Sequence, residues 1–157
     1  MRFAILLAFC VSAAGAMAQQ TPGMNRLSAE QIAAETKTLL EEARKSDTGI
    51  AVQTLDKNPE HYPMLVARTK TGVVEIHAHW DDVFFMLDGE ATEMTGGTVI
   101  DAKTTPDGET RGTRLDGAVS TPVHTGDVVH ISAGTPHWMV LTPGKTCTYY
   151  IEKIAVK

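Results

Sequence analysis

The chain has 157 residues, 43% of them hydrophobic and 21% charged, with a formal net charge of −5. This is the composition of an ordinary folded domain, and it excludes a disordered chain, a collagen-like repeat and a disulfide-stapled scaffold. No block of basic residues occurs, so a nucleic-acid surface held mainly by phosphate attraction is excluded as well.

The N-terminus combines one positive charge at Arg2, a short apolar run from Phe3 to Val11, and the small-residue end Ala16-Met17-Ala18. That plan predicts a secretory signal peptide over residues 1–18, because only small side chains fit the two key positions of the signal peptidase. The run is shorter than the roughly 20 residues a membrane helix needs. The expectation is a periplasmic or secreted protein with no membrane attachment after cleavage. Cys10 would leave with the signal, and Cys147 alone cannot form an internal bridge. Its place among alternating apolar residues predicts a buried small hydrophobe.

Residues 19–48 read as a polar lead followed by one amphipathic helix. Ser28-Ala29-Glu30-Gln31 offers a capping box, and Ile32, Leu39, Leu40 and Ala43 recur at helical spacing up to Lys45. From 49 to 157 the pattern is that of strands. Ile50–Leu55, Tyr62–Thr69, Val73–His79, Val83–Leu87, Glu90–Thr95 and Thr98–Lys103 are short and rich in β-branched or aromatic residues. Asn58-Pro59, Thr71-Gly72, Asp88-Gly89 and Gly96-Gly97 separate them as turns. Thr104–Gly117 reads as a polar loop. Strands resume at Ala118–His124, Asp127–Ser132, Trp138–Leu141 and Thr146–Ala155. Many short strands at this spacing predict an all-β sandwich or barrel.

Five of the six histidines lie between His77 and His137. His77-Ala78-His79 falls inside a predicted strand, whose period of two turns both imidazoles to one side. Two such rings on an inner wall can chelate one metal ion. Asp82 opens the next strand and offers a hard oxygen, while Gly134-Thr135-Pro136 aims His137 from a neighbouring strand. Three imidazoles and a carboxylate suit one divalent transition metal ion (Fe, Mn, Ni, Cu, Co or Zn) and exclude a dedicated calcium site.

Two longer patterns frame these residues. The first is Gly72-Val-Val-Glu-Ile-His77-Ala-His79-Trp-Asp-Asp82-Val-Phe-Phe-Met-Leu-Asp-Gly89. The second is Gly126-Asp-Val-Val-His-Ile-Ser132-Ala-Gly134-Thr-Pro-His137. Together they resemble the two motifs of the cupin superfamily, in the right order, over roughly half of the chain after the signal. The chain departs from the family pattern at several positions. Asp82 stands where glutamate is usual and follows His79 after two residues, a shorter spacing than the common one. Gly72 is one residue nearer His77, Ser132 replaces a proline, and Leu141 replaces a frequent asparagine.

The resemblance implies a double-stranded β-helix, a jelly-roll cupin barrel preceded here by one N-terminal amphipathic helix, with the site in its mouth. It further implies that His77, His79, Asp82 and His137 hold the metal. Since Asp82 departs from the family pattern, Asp81 beside it and Glu75, two residues before His77, are alternative oxygen donors by their own placement. Strand alternation puts Phe84 and Met86 beside Asp82, and Met139 and Leu141 beside His137, as pocket-lining candidates or plain barrel core. Trp80 and Trp138 belong to the opposite face or the rim. His130, His124 and His61 read as residues away from the metal. Arg68 is either a solvated strand arginine or an inward-facing binder of a substrate carboxylate.

Two functions fit these residues. One is a metal-dependent enzyme of oxygenase, decarboxylase, isomerase or lyase type acting on a small organic molecule. No catalytic acid or base stands out beyond Asp81 and Glu75. The other is a non-catalytic periplasmic module that binds a small ligand or a metal. Small cupins commonly pair through outer strands and an N-terminal segment, which makes a homodimer the expected assembly.

Overall fold

The computed structural model describes Met24 and residues 26–157. The predicted signal peptide therefore lies outside the described residues. The first element is α1 (Ala29–Lys45), and it opens with the expected capping box: Ser28 Oγ accepts from the Gln31 amide, and the Gln31 side chain accepts from the Ser28 amide. Leu39 and Ala43 on its inner face are buried against Leu65 and Ala67 of the sheet beneath. Burying a leucine in this way contributes about 2 kcal/mol, enough to hold a helix of marginal intrinsic stability. No helix among the described residues is long and apolar enough to cross a membrane.

Twelve strands follow: β1 (Ile50–Thr54), β2 (His61–Arg68), β3 (Val74–His77), β4 (Trp80–Thr95), β5 (Thr98–Ile100), β6 (Lys103–Thr104), β7 (Glu109–Gly112), β8 (Arg114–Asp116), β9 (Val119–His124), β10 (Val128–Ile131), β11 (His137–Val140) and β12 (Cys147–Ala155). Ten of them form one antiparallel sheet along the path β1-β2-β12-β4-β11-β3-β7-β6, with β9 and β10 also paired to β4; β5 and β8 pair separately. The sheet curls because β4 is shared. Its first half pairs with β12 and β10, and its second half with β11 and β9.

Two sequence expectations change here. Asp88-Gly89, expected to be a turn between two strands, is the bend at which the single strand β4 passes from one face of the barrel to the other. Gly89 has φ +85°, and a Cβ there would stand 2.1 Å from the Thr146 carbonyl oxygen. Opposite it, the β12 register slips between Thr148 and Tyr149. Such a bulge bends the strand and adds the twist that closure needs. The second change is in Thr104–Gly117, which holds the strands β7 and β8 where an unstructured loop was expected. Turn residues such as Pro106-Asp107-Gly108 dominate that segment's composition and mask the short strands beside them.

The core lies between the two faces of the barrel. Val66, Phe84, Met86, Val123, Ile131, Met139, Leu141, Tyr149 and Ile151 are buried together, each from an inward position of its strand. Cys147 belongs to this cluster, as expected. Burial pushes its thiol up to about 11, and its Sγ lies 3.8 Å from Met139 Sδ.

Candidate metal centre

At one end of the barrel is a cavity of about 310 Å³. Its walls include Phe84, Met139, Tyr149 and Ile151. Its polar lining comes from six strands: Arg68 on β2, Glu75 and His77 on β3, Asp82 and Glu93 on β4, Glu109 and Arg111 on β7, His137 on β11 and Lys153 on β12.

His77 and His137 face each other with ring centroids 5.2 Å apart. Each ring is fixed through its Nδ1. His77 Nδ1–H donates to Glu109 Oε2 at 2.5 Å, and His137 Nδ1–H donates to the Thr135 carbonyl at 3.0 Å. Both Nε2 lone pairs therefore point inward, 3.5 Å and 3.7 Å from the same Asp82 oxygen, Oδ2. His77 Nε2 is buried with no hydrogen-bond partner. A carboxylate on the far nitrogen is the arrangement that orients a metal-ligating histidine and raises its basicity. Glu75 stands on the other flank. It offers, with His77 and His137, three ligand atoms within 4.8 Å of one another. An orphaned buried imidazole nitrogen beside two carboxylates is a donor set that fits a divalent transition metal.

Charges around the imidazoles are matched within the protein. Arg111 lies 3.3 Å from Glu75 and 3.0 Å from Glu109, and Arg68 lies 4.0 Å from Glu75. Burial works to raise the Glu75 carboxyl, but Arg111 and then Arg68 outweigh it and hold it below the usual carboxylate range. Burial lowers the His137 pKa, which favours the neutral ring that a metal requires. Glu93 is different. It is almost fully buried, its Oε1 has no partner, and desolvation pushes its carboxyl up to about 8 against the opposing charge of Arg68.

The structure brings His77, Asp82 and His137 together and leaves His79 outside. β3 ends at His77, and the chain bends through Ala78 and His79 before β4 begins at Trp80. The Ala78 amide donates to the Gly108 carbonyl, and the His79 carbonyl accepts from Val156 at the end of β12. With the strand interrupted, alternation no longer applies, and His79 is exposed with its ring over the Gly108 turn.

Phe84 and Met139 line the cavity, while Met86 and Leu141 sit deeper in the core. Trp80 is at the rim, edge-on to Tyr62 at 5.0 Å, and Trp138 donates from Nε1 to the Gly72 carbonyl. Arg68 is inward, its Nε donating to the Tyr149 hydroxyl at 2.8 Å, so the solvated alternative does not hold. Asp81 faces outward, accepting from the Ala133 amide and pairing with the exposed His130, and does not stand in for Asp82. His124 and His61 are exposed, beside Asp127 and Glu152 respectively.

Sequence reasoning missed Glu93, Glu109, Arg111 and Lys153 as site residues. Lys153 carried a signal that could have revealed it: a lysine in the inward series Tyr149, Ile151, Lys153, where the pattern calls for an apolar residue.

No protein-family model and no curated protein matches the chain. Solved structures do. The Schizosaccharomyces pombe Cnp3 cupin domain aligns with a TM-score of 0.51 at 12% identity, over 68% of this chain and 65% of that one. A structure titled FeII HppE aligns with a TM-score of 0.51 at 14% identity, over 67% of this chain and 50% of the other. The chain thus spans between half and two thirds of the length of these relatives. At such identities the likeness speaks for architecture alone, and it agrees with the curled antiparallel sheet. The chain has the cupin fold.

Proposed function

We propose that this protein is an exported, metal-dependent enzyme acting on a small organic molecule, with His77 and His137 as nitrogen ligands. Asp82 Oδ2, or Glu75 from the opposite flank, supplies the oxygen. The observation that carries this reading is the pair of Nε2 atoms aimed at one carboxylate oxygen, each ring locked by a bond at its other nitrogen. A divalent ion bound there supplies a Lewis acid with open coordination positions, compatible with oxygenase, decarboxylase, isomerase or lyase chemistry. Around it, Arg68 and Arg111 orient an anionic group. Phe84, Met139, Tyr149 and Ile151 keep bulk water away. Glu93, undissociated at neutral pH, holds a proton on its carboxyl within the same cavity.

A non-catalytic binding module is the second reading. It is favoured by one observation: the charged groups of the cavity, Asp82 with Lys153 and Glu75 with Arg111, already neutralise one another. Elemental analysis decides between a metal centre and a metal-free binder. Protein isolated after native export is measured beside His137→Ala. Near-stoichiometric Fe, Mn, Ni, Cu, Co or Zn, lost in the variant, is the expected result. Wild-type protein that carries no metal and takes up none on incubation overturns the metal-dependent reading. The N-terminus of the same exported sample tests the signal peptide, with Gln19 expected as its first residue. Sedimentation tests the proposed homodimer.

A further inference from the structure

Lys153 is a buried cation that the metal-centre reading does not use. Its side chain is 9% exposed, and its ammonium lies 2.5 Å from Asp82 Oδ1. The contact is not accidental in register, since Lys153 stands directly across from Asp82 on β4 and from Tyr62 on β2. The contact is an ion pair off the directed hydrogen-bond line, because Asp82 Oδ1 has no hydrogen-bond partner. Asp82 therefore divides its two oxygens, Oδ1 toward the ammonium and Oδ2 toward His77 and His137. Burying a lysine is costly even when it is paired, and an apolar side chain at this inward position would fit the strand pattern at no such cost.

We propose that Lys153 is the positioning residue that sets the metal affinity of this site, holding Asp82 to a single ligand oxygen and placing a fixed positive charge beside the ion. The inference rests on the metal-centre reading above. A unit charge next to a coordinating carboxylate opposes a divalent cation, and in a low-dielectric cavity that opposition exceeds tenfold in affinity. The site is thereby kept weaker and narrower in coordination than its histidines and acids would otherwise make it.

The test is the binding of Zn²⁺ alone, by competition with a chromophoric chelator, to the wild type, Lys153→Met and Lys153→Arg. The expected result is binding at least about tenfold tighter in Lys153→Met and wild-type affinity in Lys153→Arg, which keeps the charge. With Co²⁺ as a second probe, the visible spectrum of Lys153→Met shifts toward higher coordination as Asp82 gains its second oxygen. Lys153→Gln is carried in parallel in case the methionine variant does not fold. Unchanged or weaker binding in the folded neutral variants, with the wild type still binding, overturns the proposal and leaves the metal centre standing. The same holds if Lys153→Arg tightens as much as Lys153→Met. Absence of binding in every form, wild type included, removes the metal centre itself and this proposal with it.

Discussion

His77 Nδ1 lies 2.5 Å from Glu109 Oε2, and this bond decides which nitrogen of His77 the cavity receives. Arg111 holds the same carboxylate oxygen from the other side at 3.0 Å. Glu109 is thus pinned in place, and His77 is pinned by Glu109. Replacing an outer carboxylate of this kind typically costs 10–100-fold in metal affinity. Glu109→Ala is expected to weaken Zn²⁺ binding by about that factor in a chelator competition. Unchanged affinity would show that packing alone orients the ring.

The two histidines of the His77-Ala78-His79 segment are expected to differ sharply. His77 is buried with Nε2 free, whereas His79 is exposed beyond the end of β3. His77→Ala should abolish stoichiometric metal, and His79→Ala should retain it within about threefold. Equal loss in both would mean that the Ala78–His79 bend rearranges when the ion binds. Elemental analysis of the two purified variants reads this directly.

Glu93 makes stability depend on pH. Its folded value is about 8 against an ordinary 4.5, because burial disfavours the ion. Below about pH 4.5 both folded and unfolded chains hold the proton, and Glu93 adds no slope. Between about 4.5 and 8 the unfolded chain releases a proton that the folded chain keeps, so stability falls as pH rises and levels off above 8. At about 1.4 kcal/mol per pKa unit, the accumulated loss is on the order of a few kcal/mol. Glu93→Gln should flatten this slope in urea unfolding measured from pH 5 to 9. A slope identical to wild type would place the titration elsewhere.

Gly89 is the hinge of β4. Any side chain there meets both a positive φ and the Thr146 carbonyl. Gly89→Ala is expected to cost roughly 2 kcal/mol or more, read as a drop in Tm. Gly126 also has positive φ, but nothing lies within 4 Å of its added Cβ, so Gly126→Ala should cost distinctly less. Equal losses would mean that backbone conformation, and not the close approach to β12, governs the Gly89 position.

Local pattern carried much of the architecture. The Ser28–Gln31 capping box, the inward series Asp82, Phe84, Met86, and the motif glycines around His77 and His137 are properties of neighbouring residues, and each could be read directly. Where the sequence misled, the cause was equally physical. Asp88-Gly89 has turn composition, yet β12 pairs across it and draws both halves of β4 into one strand. His79 has the right spacing to accompany His77, yet a β3 that ends two residues earlier, at His77, leaves it outside the cavity.

An all-β barrel with one covering helix and a cluster of histidines is legible along the chain alone, because side-chain alternation and turn chemistry act over a few residues. Which side chains meet across the barrel emerges only once the strands are assembled. Glu109 reaches His77 across 32 residues of chain, Lys153 reaches Asp82 across β12 and β4, and Glu93 is left undissociated by walls contributed from several strands. Those pairings follow from strand order and register, which no local pattern encodes, and they set the ligand geometry, the charge and the proton inventory of the cavity.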